Sequence, residues 1–341
     1  MNRILISKVL ALLCVAAWLV AACKDTPTSS ATVSSGNPEI DRLSKLLADN
    51  PKNDSLYYQR GYNYWELDAY DEAIADATKA ISLDSMKPLY YHLLADAHLD
   101  YARPNDSKRA LSVMERACAL FPENQHTYLK TSEFYLIVRQ HGAALKKLEH
   151  IITRDPLSAE AYYMTGRITL DMGDTIKTIQ ALKKSVQLDA DNKDAWVFLG
   201  RIYSKQRNDL AIQFFNNALR LDSTDVQVQE FKAAHYKRKG DFKNAFALYG
   251  KIITEHPDYS NAYFDMGLIH LELDSLDKAY SDFDKAIKTD PLFVIAYYYR
   301  GVCSESKGDK QAAIKDYQQA NKMSPNLPEP KEALERLNIV Q

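Results

Sequence analysis

The chain has 341 residues, with 43 Lys and Arg against 45 Asp and Glu, for a formal net charge of −2. That near-balance excludes a global basic field of the kind that holds nucleic acid. With 46% hydrophobic and 26% charged residues, the composition is that of a soluble domain.

Arg3 and Lys8 precede an uncharged stretch from Val9 to Ala22. It falls short of the ~20 apolar residues that a membrane-spanning helix needs, and it has the basic, apolar, small-residue order of a secretory signal. It ends Leu19-Val20-Ala21-Ala22-Cys23, which resembles a bacterial lipobox. The resemblance implies a signal peptide over residues 1–22, cleavage before Cys23, and lipid on that Cys. A diacylglycerol plus a further acyl chain such as palmitate supplies more than the single chain that anchors only weakly. Lys24 and Asp25 follow, with no Asp next to Cys23, so the resemblance implies the outer membrane of the cell envelope. The Ser- and Thr-rich segment that completes residues 23–37 has no apolar periodicity and is expected to be a tether. It reaches ~50 Å at full stretch and ~20 Å as a coil. Removing Arg3 and Lys8 takes the net charge from −2 to −4.

From residue 38 a helical pattern begins, first as a single amphipathic stretch from Glu39 to Ala48. A period of about 34 residues, the length of a helix-turn-helix unit, then takes over. Small residues mark it at Gly61, Ala95, Ser132, Gly166, Gly200, Ala233, Gly267 and Gly301, with steps of 34, 37, 34, 34, 33, 34 and 34. Within one unit Trp196, Leu199, Gly200 and Tyr203 fall on one helical face, and Ala211, Phe215 and Ala218 on a second. The same beat recurs through Tyr263, Gly267, Ala279, Phe283 and Pro291, and through Tyr297, Gly301, Ala313, Tyr317 and Pro325. These residues resemble the tetratricopeptide repeat, and the likeness covers roughly four-fifths of the chain. It implies an all-α, right-handed superhelical solenoid spanning residues 38–341. That solenoid comprises an N-terminal half-repeat, eight helix-turn-helix repeats over about 54–325, and a polar capping helix over about 328–340. Three departures stand out: a wide turn at Leu99 to Lys108, a turn one residue short at Gln206 to Asp209, and Gln229 at an aromatic position, where a weaker contact is expected.

A search for chemistry yields little. The eight His share no HExxH spacing and no Cys pair has zinc-site spacing, so neither a metal nor another cofactor is expected. Most carboxylates stand at helix ends, as in Leu221-Asp222-Ser223, where they cap or terminate. Triplets such as Asp54-Ser55-Leu56 and Asp174-Thr175-Ile176 resemble an O-glycosylation signal, but turn chemistry accounts for them more simply. Cys118 and Cys303, five repeats apart, are expected to be buried apolar side chains. No catalytic constellation is present, and no enzyme activity is expected.

The family resemblance implies a partner-binding groove lined by the second, fifth, ninth, twelfth and thirteenth residues of each first helix. Here these give an aromatic start (Tyr58, Tyr62, Trp65), an acidic stretch (Asp96, Asp100, Glu133) and a basic middle. The basic middle comprises Arg167, Arg201, Lys205, Lys237 and Arg238, bordered by Tyr163, and Phe264 and Tyr298 follow it. Arg grips carboxylates in bidentate fashion, so an acidic segment of a partner is the expected ligand, while Arg167 could instead pair with Asp171 at i, i+4. The expected function is a membrane-tethered scaffold that binds envelope proteins or peptide segments. The alternative is a glycan- or peptidoglycan-binding lipoprotein that stacks sugars on Trp65 and the Tyr-rich groove.

Overall fold

The computed structural model describes residues 36–337. The signal peptide, Cys23, most of the tether and the last four residues lie outside that range. The described residues form eighteen α-helices and no strand. They divide into two compact units, up to Pro122 and from Glu123 onward.

The first unit holds α1 (Pro38–Asp49) and the hairpins α2 (Asp54–Glu66) with α3 (Tyr70–Leu83) and α4 (Pro88–Tyr101) with α5 (Asp106–Leu120). The second holds six hairpins and a last helix. They are α6 (Gln125–Ile137) with α7 (His141–Arg154), α8 (Ala159–Asp171) with α9 (Thr175–Leu188), and α10 (Lys193–Lys205) with α11 (Leu210–Leu221). There follow α12 (Val226–Lys239) with α13 (Phe242–Glu255), α14 (Ser260–Glu272) with α15 (Leu276–Thr289), α16 (Val294–Ser306) with α17 (Lys310–Met323), and α18 (Pro328–Arg336). The expected half-repeat helix and eight hairpins are thus present, and the last helix covers the apolar face of α17 through Ala333 and Leu334.

Five of the eight hairpins share the layout of α2 and α3: a thirteen-residue helix, a three-residue turn, then a fourteen-residue helix. Four residues always link one hairpin to the next. The three extra residues of the second hairpin are divided, one each to α4, its turn and α5. The fifth hairpin corrects the sequence expectation. Its turn, residues 206–209, is longer than the usual three, and the loss falls on α11, which is two residues shorter than its counterpart α3.

Small residues permit the close approach of paired helices. A Cβ on Gly200 would lie 2.5 Å from Cε1 of Phe215, and one on Gly267 would lie 2.7 Å from Cε1 of Phe283. Seven turns close alike: in α2, for example, the amide of Ala69 donates to the carbonyl of Tyr64 at 2.9 Å and that of Asp68 to Trp65 at 3.1 Å. This is the Schellman closure, and it needs a left-handed residue just past the helix. Asp68, Arg139, Gly173, Arg207, Gly240, Asp274 and Gly308 supply it, all with positive φ. The second hairpin breaks the pattern, with left-handed residues at both Ala102 and Asn105.

Side chains also tie the links down. Tyr57, Tyr91 and Tyr297 each donate a hydroxyl hydrogen bond to the carbonyl six residues earlier, and Trp196 donates its indole N–H to Ala190 at 2.8 Å. Gln229 keeps this bond: its Nε2 donates to the carbonyl of Ser223 at 2.9 Å. An amide therefore replaces the ring's polar tip where a weaker contact was expected.

Not every carboxylate is a cap. Asp76, Asp282 and Asp316 occupy the same buried position in second helices. Arg60 grips Asp76 at 2.7 and 2.8 Å, Arg300 grips Asp316 at 2.8 and 2.6 Å, and His270 meets Asp282 at 2.7 Å. Cys118 and Cys303 are both buried, and burial pushes the Cys303 thiol up to about 11.

Candidate partner-binding groove

In the second unit the expected groove positions meet along the exposed faces of α6, α8, α10 and α12. A pocket of about 230 Å³ is lined by Leu170, Thr175, Phe198, Arg201, Ile202, Lys205 and Gln206. On one side Leu170 and Phe198 also wall a hollow of about 460 Å³ with Leu136, Ile137, Arg139, Arg167 and Asp171. On the other, Arg201 and Lys205 also wall one of about 200 Å³ with Ser204, Phe215, Phe231, Ala234 and Arg238. Shared walls make the three a continuous trough with an apolar floor and a basic rim.

The rim cations differ in availability. Arg167 does not pair with Asp171; its Nη1 lies 3.4 Å from Glu133 of the preceding hairpin, while Asp171 takes His141 at 2.6 Å. Lys237 is bound to Asp265, which also accepts the Tyr249 hydroxyl at 2.6 Å. Arg238 donates to Ser204 Oγ at 2.6 Å, and that oxygen lies 3.2 Å from Nδ1 of the buried His235. By contrast Arg139, Arg201 and Lys205 are exposed and form no ion pair among the described residues. Arg201 is held in place by its guanidinium lying over the Phe231 ring, 5.0 Å from the centroid. A cation braced on an aromatic face and lacking a carboxylate is poised for an external anion.

The remaining expected residues sit elsewhere. Tyr163 stands beside the trough, with Arg167 5.9 Å from its ring centroid, and burial together with Asp194 raises its hydroxyl above the usual range. Phe264 is engaged in packing, with Phe293 at 5.0 Å and Phe283 and Tyr299 at 5.6 Å, and Tyr298 packs on Tyr299 and Tyr317. Neither lines the trough. Phe198 and Phe231, the floor aromatics, were missed because they stand at the sixth helix position, one residue past the expected fifth. Arg139 was missed because it lies in a turn.

Tyr58, Tyr62 and Trp65 belong to the first unit and form a separate face on α2. Their rings follow one another at 6.4 and 5.5 Å, and Trp65 donates its indole N–H to Asp100 of α4 at 2.7 Å. Among the described residues no group of three or more His, Cys, Asp or Glu is placed to hold a metal ion. No helix among them is long and apolar enough to cross a membrane.

Helical hairpins repeated at a near-constant length, with first helices that present an exposed, chemically individual face, define a helical-repeat protein. Family models of the tetratricopeptide repeat match residues 54–85, 159–192, 193–225 and 264–328, so the hairpins of those segments are repeats of that type. Proteins of such repeats are protein–protein interaction scaffolds and are generally non-enzymatic. Among curated proteins the chain is similar to human DnaJ homolog subfamily C member 7, 24% identical over 320 residues. That match takes in 83% of this chain but only 62% of the human protein's length. Among solved structures it is similar to the C-terminal part of a TPR repeat-containing protein from Cytophaga hutchinsonii, with a TM-score of 0.57, 17% identity, and 73% of this chain and 99% of that one covered. It is also similar to PilW, a type IV pilus biogenesis factor, with a TM-score of 0.52, 16% identity, and 62% and 99% covered. These two likenesses concern the fold.

Proposed function

We propose that this protein is an adaptor tethered through a lipidated Cys23 to the bacterial envelope, at the outer membrane. Its second unit seats an acidic, partly apolar segment of an envelope protein. The observation that carries the reading is the pair Arg201 and Lys205, two cations without carboxylate partners above an apolar pocket of about 230 Å³. Such a rim favours carboxylates, and the floor of Leu170, Phe198 and Ile202 takes an apolar side chain next to them. Arg167 and Lys237 contribute field rather than grip, since each already holds an acid.

Charge reversal at Arg201 and Lys205 tests it. A labelled peptide alternating Glu and Leu should bind the full chain and lose at least tenfold affinity to the double variant, with the same variant losing partners in a pull-down from envelope extract. Equal peptide affinity and unchanged recovery would overturn the reading.

A further inference from the structure

The face of the first unit has a chemistry of its own, opposite in sign to the trough. The groove positions of α2 carry Ser55, Tyr58, Tyr62, Trp65 and Glu66; those of α4 carry Leu89, His92, Asp96, Leu99 and Asp100. None is Lys or Arg. Tyr62 is exposed at 40%, while Tyr58 is half-buried against Tyr90 at 5.3 Å. Each ring carries a carboxylate near its polar edge. Asp100 accepts from the Trp65 indole, Glu66 and then Asp96 raise the Tyr62 hydroxyl above its usual range, and burial with Asp96 does the same to that of Tyr58. Donating to a carboxylate makes a ring more electron-rich, so the exposed faces gain negative potential. Lys87, just before α4, lies over Tyr90 and is held by Asp54 at 2.6 Å.

We propose that this α2–α4 face is a recognition site for cationic side chains, Lys or Arg, presented at alternate positions of an extended segment of a partner protein. The spacing supplies the extended segment. The rings stand 6.4 and 5.5 Å apart along the helix, close to the roughly 6.6 Å between alternate side chains of an extended chain. Cations over successive ring faces would each gain a cation–π contact and a carboxylate within reach. Neighbouring rings are inclined by 42° and 49°, so they offer facets for separate head groups and no flat platform for a sugar chain. The site is independent of the second unit's trough, and either reading stands without the other.

Fluorescence anisotropy of a labelled acetyl-Arg-Ser-Arg-Ser-Arg amide with the full chain tests it. The Arg peptide should bind at low salt and weaken as salt rises, and its Gln-for-Arg counterpart should bind at least tenfold more weakly. Tyr62→Leu should weaken Arg-peptide binding by about 3- to 10-fold. Because Tyr62 is exposed, that variant should melt like the parent; Asp100→Asn should also weaken binding and flatten its salt dependence. Equal binding of the Gln peptide, or full affinity in both variants, overturns the proposal. So does chitotetraose binding that Tyr62→Leu abolishes, if the Arg peptide does not bind.

Discussion

At the scale of single residues, the small position of the first helix acts through what lies against it. Gly200 is the sharpest case, because the Phe215 ring occupies the volume that a methyl group would need. Ala ordinarily stabilises a helix interior over Gly by about 1 kcal/mol. Here the sign should reverse: Gly200→Ala is expected to destabilise by about 1–3 kcal/mol, because the fully buried Phe215 must shift. A urea titration reads this directly, and a raised midpoint would show that the ring yields without cost. Gln229 makes the complementary point. Its buried amide delivers the same bond as an aromatic hydroxyl, at 2.9 Å to Ser223, so a departure in residue type conserves the contact.

At the scale of elements, the turn inside each hairpin depends on one left-handed residue, and Gly supplies it at only three of the seven Schellman turns. Arg207, at φ 55°, adopts a conformation that costs a non-Gly residue about 1–2 kcal/mol. Arg207→Gly should therefore raise stability by roughly 0.5–1 kcal/mol after the entropy of Gly is counted, measured as a higher urea midpoint. A fall would mean that the Arg207 side chain makes a compensating contact. The hairpins themselves were legible from sequence, because small and aromatic residues at i, i+3, i+4 and i+7 leave a direct trace of helix packing. The fate of an inserted or deleted residue was not. The spacing between successive markers reports a total length, and α11 could lose residues while its turn grew. The candidate groove was legible in its positions, since Arg167, Arg201, Lys205 and Arg238 do line the trough. Which of its charges are engaged was hidden. Arg167 reaches Glu133 in the preceding hairpin and Lys237 reaches Asp265 in the following one, separations far beyond any i, i+4 rule.

At the scale of the whole molecule, the two units carry faces of opposite character: aromatic and acidic on α2 and α4, apolar and basic along α6 to α12. An adaptor so built could engage two differently charged segments, whether of one partner or of two. The near-neutral total of −2 conceals this polarity, because the charges are segregated rather than absent. The proposed anchor adds a constraint of place. Cys23→Ala is expected to move the protein out of the membrane fraction and change its processing. A variant that stays membrane-bound and is processed like the parent would remove the lipid from the account.

The four-residue link, fixed at every junction while the turns and helices between vary, has a consequence for how such a chain tolerates change. At five of these links a side chain of the next helix, Tyr57, Tyr91, Trp196, Gln229 or Tyr297, latches onto the carbonyl six residues earlier and ties the entry of that hairpin to its own link. Length errors are confined to the hairpins where they arise: three residues gained after Pro88 and one lost before Asp222 leave the hairpin that follows each with the same total length as α2 and α3. New loops can be grown inside hairpins, and binding surfaces altered one at a time, without rewriting the rest of the stack.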